Sequence, residues 1–283
     1  MLRGERRLPE VLAGLLTMVA LLVACDDGAA TPAPTDRIDT SASSAVPAES
    51  DAGAGTTASA PPLPSTTIAP GTTSSTPTTA APGVFASTVE PLSDEIRRRM
   101  TGSSMRPGCP VGFDELRHVV VSRWTFEGTP SFGELVVHRD VAEDIVAVFR
   151  RLYELHYPVR RMQLVDDFGA AESASDGASD FRSIEADNTS AFNCRTRTGS
   201  SDSFSEHSYG LAIDVNPIEN PYVTERGTTA HAASRPYLDR SSPAPGVILA
   251  GDAVVEAFAE IGWSWGGTWS GARDYQHFSR SGR

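Results

Sequence analysis

The chain has no lysine, so each of its 24 basic residues is an arginine. Any side-chain cation that holds a carboxylate or a developing oxyanion must therefore be a guanidinium, permanently charged and able to bind in a fork. Positive charge is also in short supply overall. Against 36 acids the formal net charge is -12, which leaves no basic face to neutralise phosphates and excludes nucleic acid as a partner. Aromatic residues make up 7% of the 283 positions, and there are only three cysteines. Apolar content is 40%, ordinary for a chain with a real core.

The one long apolar run lies at the start, from Val11 to Ala24, behind a basic stretch containing Arg3, Arg6 and Arg7. It has the length of a signal peptide and is short for a membrane span. It ends in Leu22-Val23-Ala24-Cys25, which resembles a bacterial lipobox, so residues 1–25 read as a lipoprotein-type signal with Cys25 as the lipidated residue; plain secretion with cleavage near Ala24 is the alternative. Residues 26–87 are Thr, Ser, Ala and Pro with few charges, too poor in apolar surface to offset chain entropy, and read as a disordered tether. The remaining cysteines, Cys109 and Cys194, are expected to pair in an exported chain.

Residues 88–283 fit one folded α+β domain. Leu116 to Trp124 and Gly133 to His138 read as strands. Asp140 reads as an N-cap with Glu143 completing a capping box, followed by a helix whose Val141, Ile145, Val148, Phe149, Leu152 and Leu155 share a face, stopped by Pro158. Val159 to Val165 reads as a strand, and Asp166 to Asp202 as a long polar loop of the kind that carries function. In Leu211 to Val215, alternation buries Leu211, Ile213 and Val215 and turns Asp214 the other way. A helix opening at Gly251-Asp252 ends at Gly262.

Two stretches carry chemistry. Ser205-Glu206-His207-Ser208-Tyr209-Gly210-Leu211-Ala212-Ile213-Asp214 puts an imidazole and a carboxylate seven residues apart, and Asp274-Tyr275-Gln276-His277 adds a second imidazole and a second acid. His207, Asp214 and His277 supply the three ligands that a hydrolytic zinc site needs, leaving Asp274 free to move protons. Residues three apart do not share a face of a strand, so Asp274 and His277 require a turn, a bulge or a helix to converge.

The joint pattern Ser205-x-His207-x-x-Gly210-x-Ala212-x-Asp214 with Asp274-x-x-His277 resembles the zinc D-alanyl-D-alanine carboxypeptidase and L-alanyl-D-glutamate endopeptidase family, which includes the vancomycin-resistance D,D-peptidases and shares its fold with the hedgehog signalling domain. Gly108-Cys109-Pro110-Val111, the segment Asn188 to Arg195, Asn216-Pro217, Asn220-Pro221-Tyr222 and Gly262-Trp263-x-Trp265-Gly266-Gly267 extend the resemblance over roughly Met105 to Phe278. It implies a hedgehog/D,D-peptidase-like zinc domain with His207, Asp214 and His277 on Zn²⁺ and Asp274 as base. It also implies an arginine on the substrate carboxylate or oxyanion, with Arg195 as the candidate and Arg182 and Arg197 as rivals. Ser205 and Tyr209 are candidate substrate contacts.

The implied activity is hydrolysis of an amide bond in peptidoglycan stem peptides, as a D-alanyl-D-alanine carboxypeptidase. The alternatives are an L-alanyl-D-glutamate endopeptidase and a non-catalytic wall-binding module. The partners expected are the peptidoglycan peptide and, through the anchor, a membrane, for a monomer in the cell envelope. Trp263 and Trp265 read as core and Trp269 as exposed. His118, His138, His156 and His231 read as ordinary residues, and the stretch from Tyr222 to Gly246 as either an active-site flap or a passive loop.

Overall fold

The computed structural model describes residues 83–171, 177–198, 200 and 202–282. Cys25, the apolar run that precedes it and nearly all of the expected tether lie outside the described residues. No helix among the described residues is long and apolar enough to cross a membrane.

The elements in chain order are β1 (Ser87–Pro91), α1 (Asp94–Met100), β2 (Leu116–Trp124), β3 (Pro130–His138), α2 (Ala142–Glu154), β4 (Arg161–Met162), α3 (Asp180–Glu185), β5 (Asn188–Thr189), β6 (Ala212–Asp214), β7 (Tyr222–Val223), α4 (Ala253–Glu260), β8 (Ser264–Trp265), β9 (Arg273–Asp274) and β10 (His277–Ser279). The fold is mixed α/β with small sheets, compatible with the α+β expectation. β1, β2 and β3 form an antiparallel sheet, and β10 lies between β6 and β8 in a second one. β4 and β5 pair in parallel, and β7 pairs antiparallel with β9.

The first sheet follows from its alternation. Val119 and Val121 of β2 and Leu135 and Val137 of β3 face a core that also takes Ile145, Phe149 and Leu152 of α2, Phe258 of α4, and Ile213 and Phe278 of the second sheet. Leu116 and Val136 face the other way, into a smaller core with Ile96, Met100, Phe192 and Cys194. The two sheets thus share one apolar interior. The second sheet's other face, with Asp214 and His277, is left to carry the site.

Several expectations need correction. Asp140 is not the N-cap of α2: residues Arg139–Val141 form a 3₁₀ turn leading straight out of β3, and the His138 Nδ1 accepts from the Asp140 N–H at 3.2 Å. Leu155 ends α2 as its exposed C-cap rather than joining the buried face. The Val159 to Val165 strand shrinks to Arg161–Met162 because side chains satisfy its backbone on either side. Arg123 donates to the Val159 carbonyl at 2.6 Å, and Asn216 Oδ1 accepts from the Arg160 N–H at 3.1 Å. The long polar loop contains α3 and β5, the helix being capped by Ser179, whose Oγ accepts from the Arg182 N–H. Cys109 and Cys194 are joined, as expected, across 85 residues.

Candidate metal and catalytic site

His207 lies in a 3₁₀ turn, Glu206–Tyr209, that Ser205 caps through its Oγ and that Gly210 closes in the left-handed region. Gly210 is required there twice over. Its φ is +67°, and a Cβ would come 2.5 Å from the His138 N, against which the Gly210 carbonyl accepts a hydrogen bond. The turn delivers the chain into β6, where Asp214 sits. Across the sheet, Asp214 is the direct register partner of His277 on β10. Topology therefore brings residues from opposite ends of a seventy-residue interval to one point.

Asp274 arrives by a different route. It belongs to β9 and is paired with Tyr222 of β7, whereas His277 already belongs to β10. Between them the chain crosses from one sheet to the other, fixed by the Tyr275 N–H on the Pro221 carbonyl and the Val215 N–H on the Gln276 carbonyl. This crossing is the bend that residues three apart needed. Gly266 makes room for it, since a Cβ there would meet the Asp274 carbonyl oxygen at 2.5 Å.

The ligand atoms of His207, Asp214 and His277 all lie within 4.8 Å of one another and are buried. His207 Nε2 is 3.3 Å from His277 Nδ1 and 3.3 Å from Asp214 Oδ2; His277 Nδ1 is 3.0 Å from Asp214 Oδ1. Bonds of about 2.0–2.2 Å to a tetrahedral zinc place ligand atoms roughly 3.3 Å apart, so the donor set and its spacing fit this ion. The His207 Nδ1–H donates to the Ala191 carbonyl at 2.5 Å, which leaves Nε2 as the coordinating nitrogen. Gln276 donates through Nε2 to Asp214 Oδ2 at 3.0 Å.

Charge is arranged to match. Burial alone would raise the Asp214 carboxyl, but the His207 and His277 imidazoles overcome it and hold the group well below the usual carboxylate range. Burial opposes protonation of His207, yet the Asp214 carboxylate raises its affinity for the proton. Asp274 is pushed the other way. Burial first, then the negative charge of Asp214, lifts its carboxyl to about 7, and its Oδ1 is buried with no hydrogen-bond partner among the described residues. Two acids in one site are thereby split into one that is always ionised and one that exchanges its proton near neutral pH.

These residues line a cavity of about 340 Å³ whose wall also includes Arg195, Phe204, His231 and Trp269. Ser205 lines it too, whereas Tyr209 does not and packs against the smaller core instead. Arg195 is ion-paired with Asp180 beside the cluster. Of its rivals, Arg197 is exposed at the cavity wall, and Arg182 is tied to the Phe168 and Ala170 carbonyls. Trp263 and Trp265 are buried as expected; Trp269 is half-buried, its ring centroid 5.5 Å from that of His277.

Residues 198–280, which hold all three candidate ligands and Asp274, match a family model described as D-alanyl-D-alanine carboxypeptidase. That segment is similar to this peptidase family. No curated protein and no solved structure gives a match to the chain. The matched segment begins after Arg195, its ion-pair partner Asp180 and the Asn193 that bonds Asp180, all of which stand upstream of it.

Sequence reasoning missed four contributors to the candidate site. Gln276, inside the Asp-x-x-His motif, supports Asp214; Asp180 holds Arg195; Ala191 offers only a backbone carbonyl. His231 lines the cavity, its ring tilted at 34° to that of the exposed Phe181 with the centroids 4.6 Å apart. Only Gln276 had a signal in the chain, its place within the second motif.

Proposed function

We propose that this protein is a zinc-dependent peptidase that hydrolyses an amide bond in peptidoglycan stem peptides, acting as a D-alanyl-D-alanine carboxypeptidase on a hedgehog/D,D-peptidase-like domain. The observation that carries this reading is the close His207, Asp214 and His277 cluster with an unpartnered, proton-exchanging Asp274 on the same cavity wall. Zinc, when bound by that cluster, makes water acidic and polarises a carbonyl.

The chain's own residues supply the rest. Asp274 accepts the proton that the attacking water loses as its oxygen bonds to the carbonyl carbon, and gives a proton to the amine as the C–N bond breaks. Arg195 offers a fixed positive charge to the oxygen that becomes negative. Ser205, lining the cavity, is a candidate substrate contact. A lipidated Cys25 and the tether, which ends before Phe85 packs on the core and Ser87 enters β1, would hold the domain outside the membrane, facing the wall.

A second cavity of about 630 Å³ shares Asp180, Arg195, Arg197 and Thr198 with the first. This room past Arg195 favours, as a second reading, an endopeptidase that accommodates chain on both sides of the scissile bond. Mass spectrometry of muropeptides incubated with the zinc-loaded protein separates the two. Loss of one D-Ala is expected, separation of L-Ala from D-Glu would establish the endopeptidase, and absence of any chelator-sensitive cleavage would leave a non-catalytic wall-binding module.

A further inference from the structure

The segment from Asn193 to Arg195 is bonded far more heavily than a loop beside a cavity needs to be. Asn193 is buried; its Oδ1 accepts from the Ala178 N–H at 3.0 Å, and its Nδ2 donates to the Ala178 carbonyl at 3.1 Å and to Asp180 Oδ1 at 2.6 Å. The other carboxylate oxygen of Asp180 is ion-paired with the Arg195 Nε. Cys194, between them, is held by its disulfide, by its N–H on the Ser104 carbonyl at 2.9 Å and by the Arg106 Nε on its own carbonyl at 2.7 Å. On the far side, the Arg195 N–H donates to Ser208 Oγ at 2.9 Å, and that hydroxyl donates back to the Arg195 carbonyl at 2.7 Å. Ser208 directly follows His207. The backbone that carries Arg195 is therefore locked to the turn that carries a candidate ligand.

The side chain needs a separate restraint. A free arginine side chain has many rotamers and many places to go. Three carboxylates attract this one: Asp180, Asp214 and Asp274. Pairing with Asp214 would occupy an oxygen the metal needs, and pairing with Asp274 would neutralise the proton acceptor. We propose that Asp180 is a positioning residue, oriented by Asn193, that holds the Arg195 guanidinium by its Nε edge and so keeps it off both Asp214 and Asp274, while Nη1 donates to the Thr196 carbonyl at 3.2 Å and Nη2, at the outer edge, is left for the substrate. Asp180 touches no reacting atom. The inference rests on the peptidase reading for the use made of that outer edge, whereas the restraint itself does not.

The test is a double-mutant cycle with Asp180→Asn, which preserves shape and the Asn193 contact but removes the charge, and Arg195→Ala. Three quantities are read on the full-length protein: the Arg195 Nε–Hε resonance by nitrogen-detected NMR, the zinc dissociation constant, and kcat and KM on muropeptide. In the unsubstituted protein the Nε–Hε proton is expected to exchange slowly, and in Asp180→Asn to lose that protection. Zinc affinity should fall about tenfold in Asp180→Asn and recover when Arg195→Ala is added, because the liberated guanidinium is then gone. Turnover should fall by roughly ten- to a hundredfold with KM within about threefold, and Asp180→Asn should cost nothing further on top of Arg195→Ala.

An equal cost in both backgrounds, or a protected Arg195 resonance surviving in Asp180→Asn, overturns the proposal. If the unsubstituted protein shows no chelator-sensitive hydrolysis, the peptidase reading fails while the NMR and zinc measurements still decide the restraint. Should Asp180→Asn not fold, Asn193→Ser frees the orientation of Asp180 and carries the same comparison.

Discussion

Gln276 and Asp214 are joined through their side chains at 3.0 Å, and the same Gln276 accepts the Val215 N–H through its backbone carbonyl at 3.0 Å. One residue thus fixes both the position and the orientation of the candidate carboxylate ligand. Groups that orient a ligand without touching the metal commonly matter to its affinity by ten- to a hundredfold. Gln276→Ala is expected to weaken zinc binding by about that range, read by competition with a chromophoric chelator, with the helical and sheet content of the circular dichroism spectrum unchanged.

Asp274 should separate chemistry from metal binding. Its Oδ1 makes no hydrogen bond among the described residues, so Asp274→Ala leaves no partner stranded. Turnover on muropeptide should drop by roughly 10²- to 10⁴-fold while the zinc content stays stoichiometric. A variant that keeps both its zinc and its full activity would show that Asp274 is not the base.

Glu219 predicts how stability depends on pH. It is 2% exposed, near Asp187, with Arg160 Nη2 3.6 Å away. Burial, then the Asp187 carboxylate, pushes its carboxyl up to about 8 from an ordinary 4.5. The folded value is above the unfolded one, so the neutral carboxyl's contribution is complete below about pH 4.5 and is lost as the pH rises through about 8. Glu219→Gln should match the parent protein at pH 5 and be the more stable of the two at pH 8 to 9, as measured by urea titration at both pH values.

The Cys109–Cys194 bridge closes a long loop, and Cys194 is fully buried. Replacing both cysteines with serine should cost about 2–4 kcal/mol. At roughly 2–4 °C per kcal/mol for a domain of this size, calorimetry should register a fall of about 4–16 °C in Tm. Because Arg195 directly follows Cys194, the proposed activity should fall well below the melting transition.

What could be read from the chain and what could not divide along physical lines. β2 was legible to the residue because LRHVVVSRW is dense in β-branched side chains that alternate between two cores. α2 was legible from its apolar face, but its start was not, since a histidine rather than the better-placed aspartate caps the preceding turn. α3 has six residues, too few for any periodicity to rise above the polar background. The four site residues His207, Asp214, Asp274 and His277 stood out by type and spacing. Their convergence did not, because it depends on β6 pairing with β10 and β7 with β9 across stretches of chain that share no local signal. Asp180 was invisible for the same reason, as one acid among 36.

The facing of Asp214 and His277 across β6 and β10 has a use beyond chemistry. Side chains alternate along a strand, so a slip of one residue between these strands would send His277 to the opposite surface and leave the cluster with two ligands. Zinc bound by this cluster would therefore act as a proofreading signal: only a chain whose central strand had found its proper partner would hold the ion, and the ion in turn would favour that pairing over its misaligned rivals.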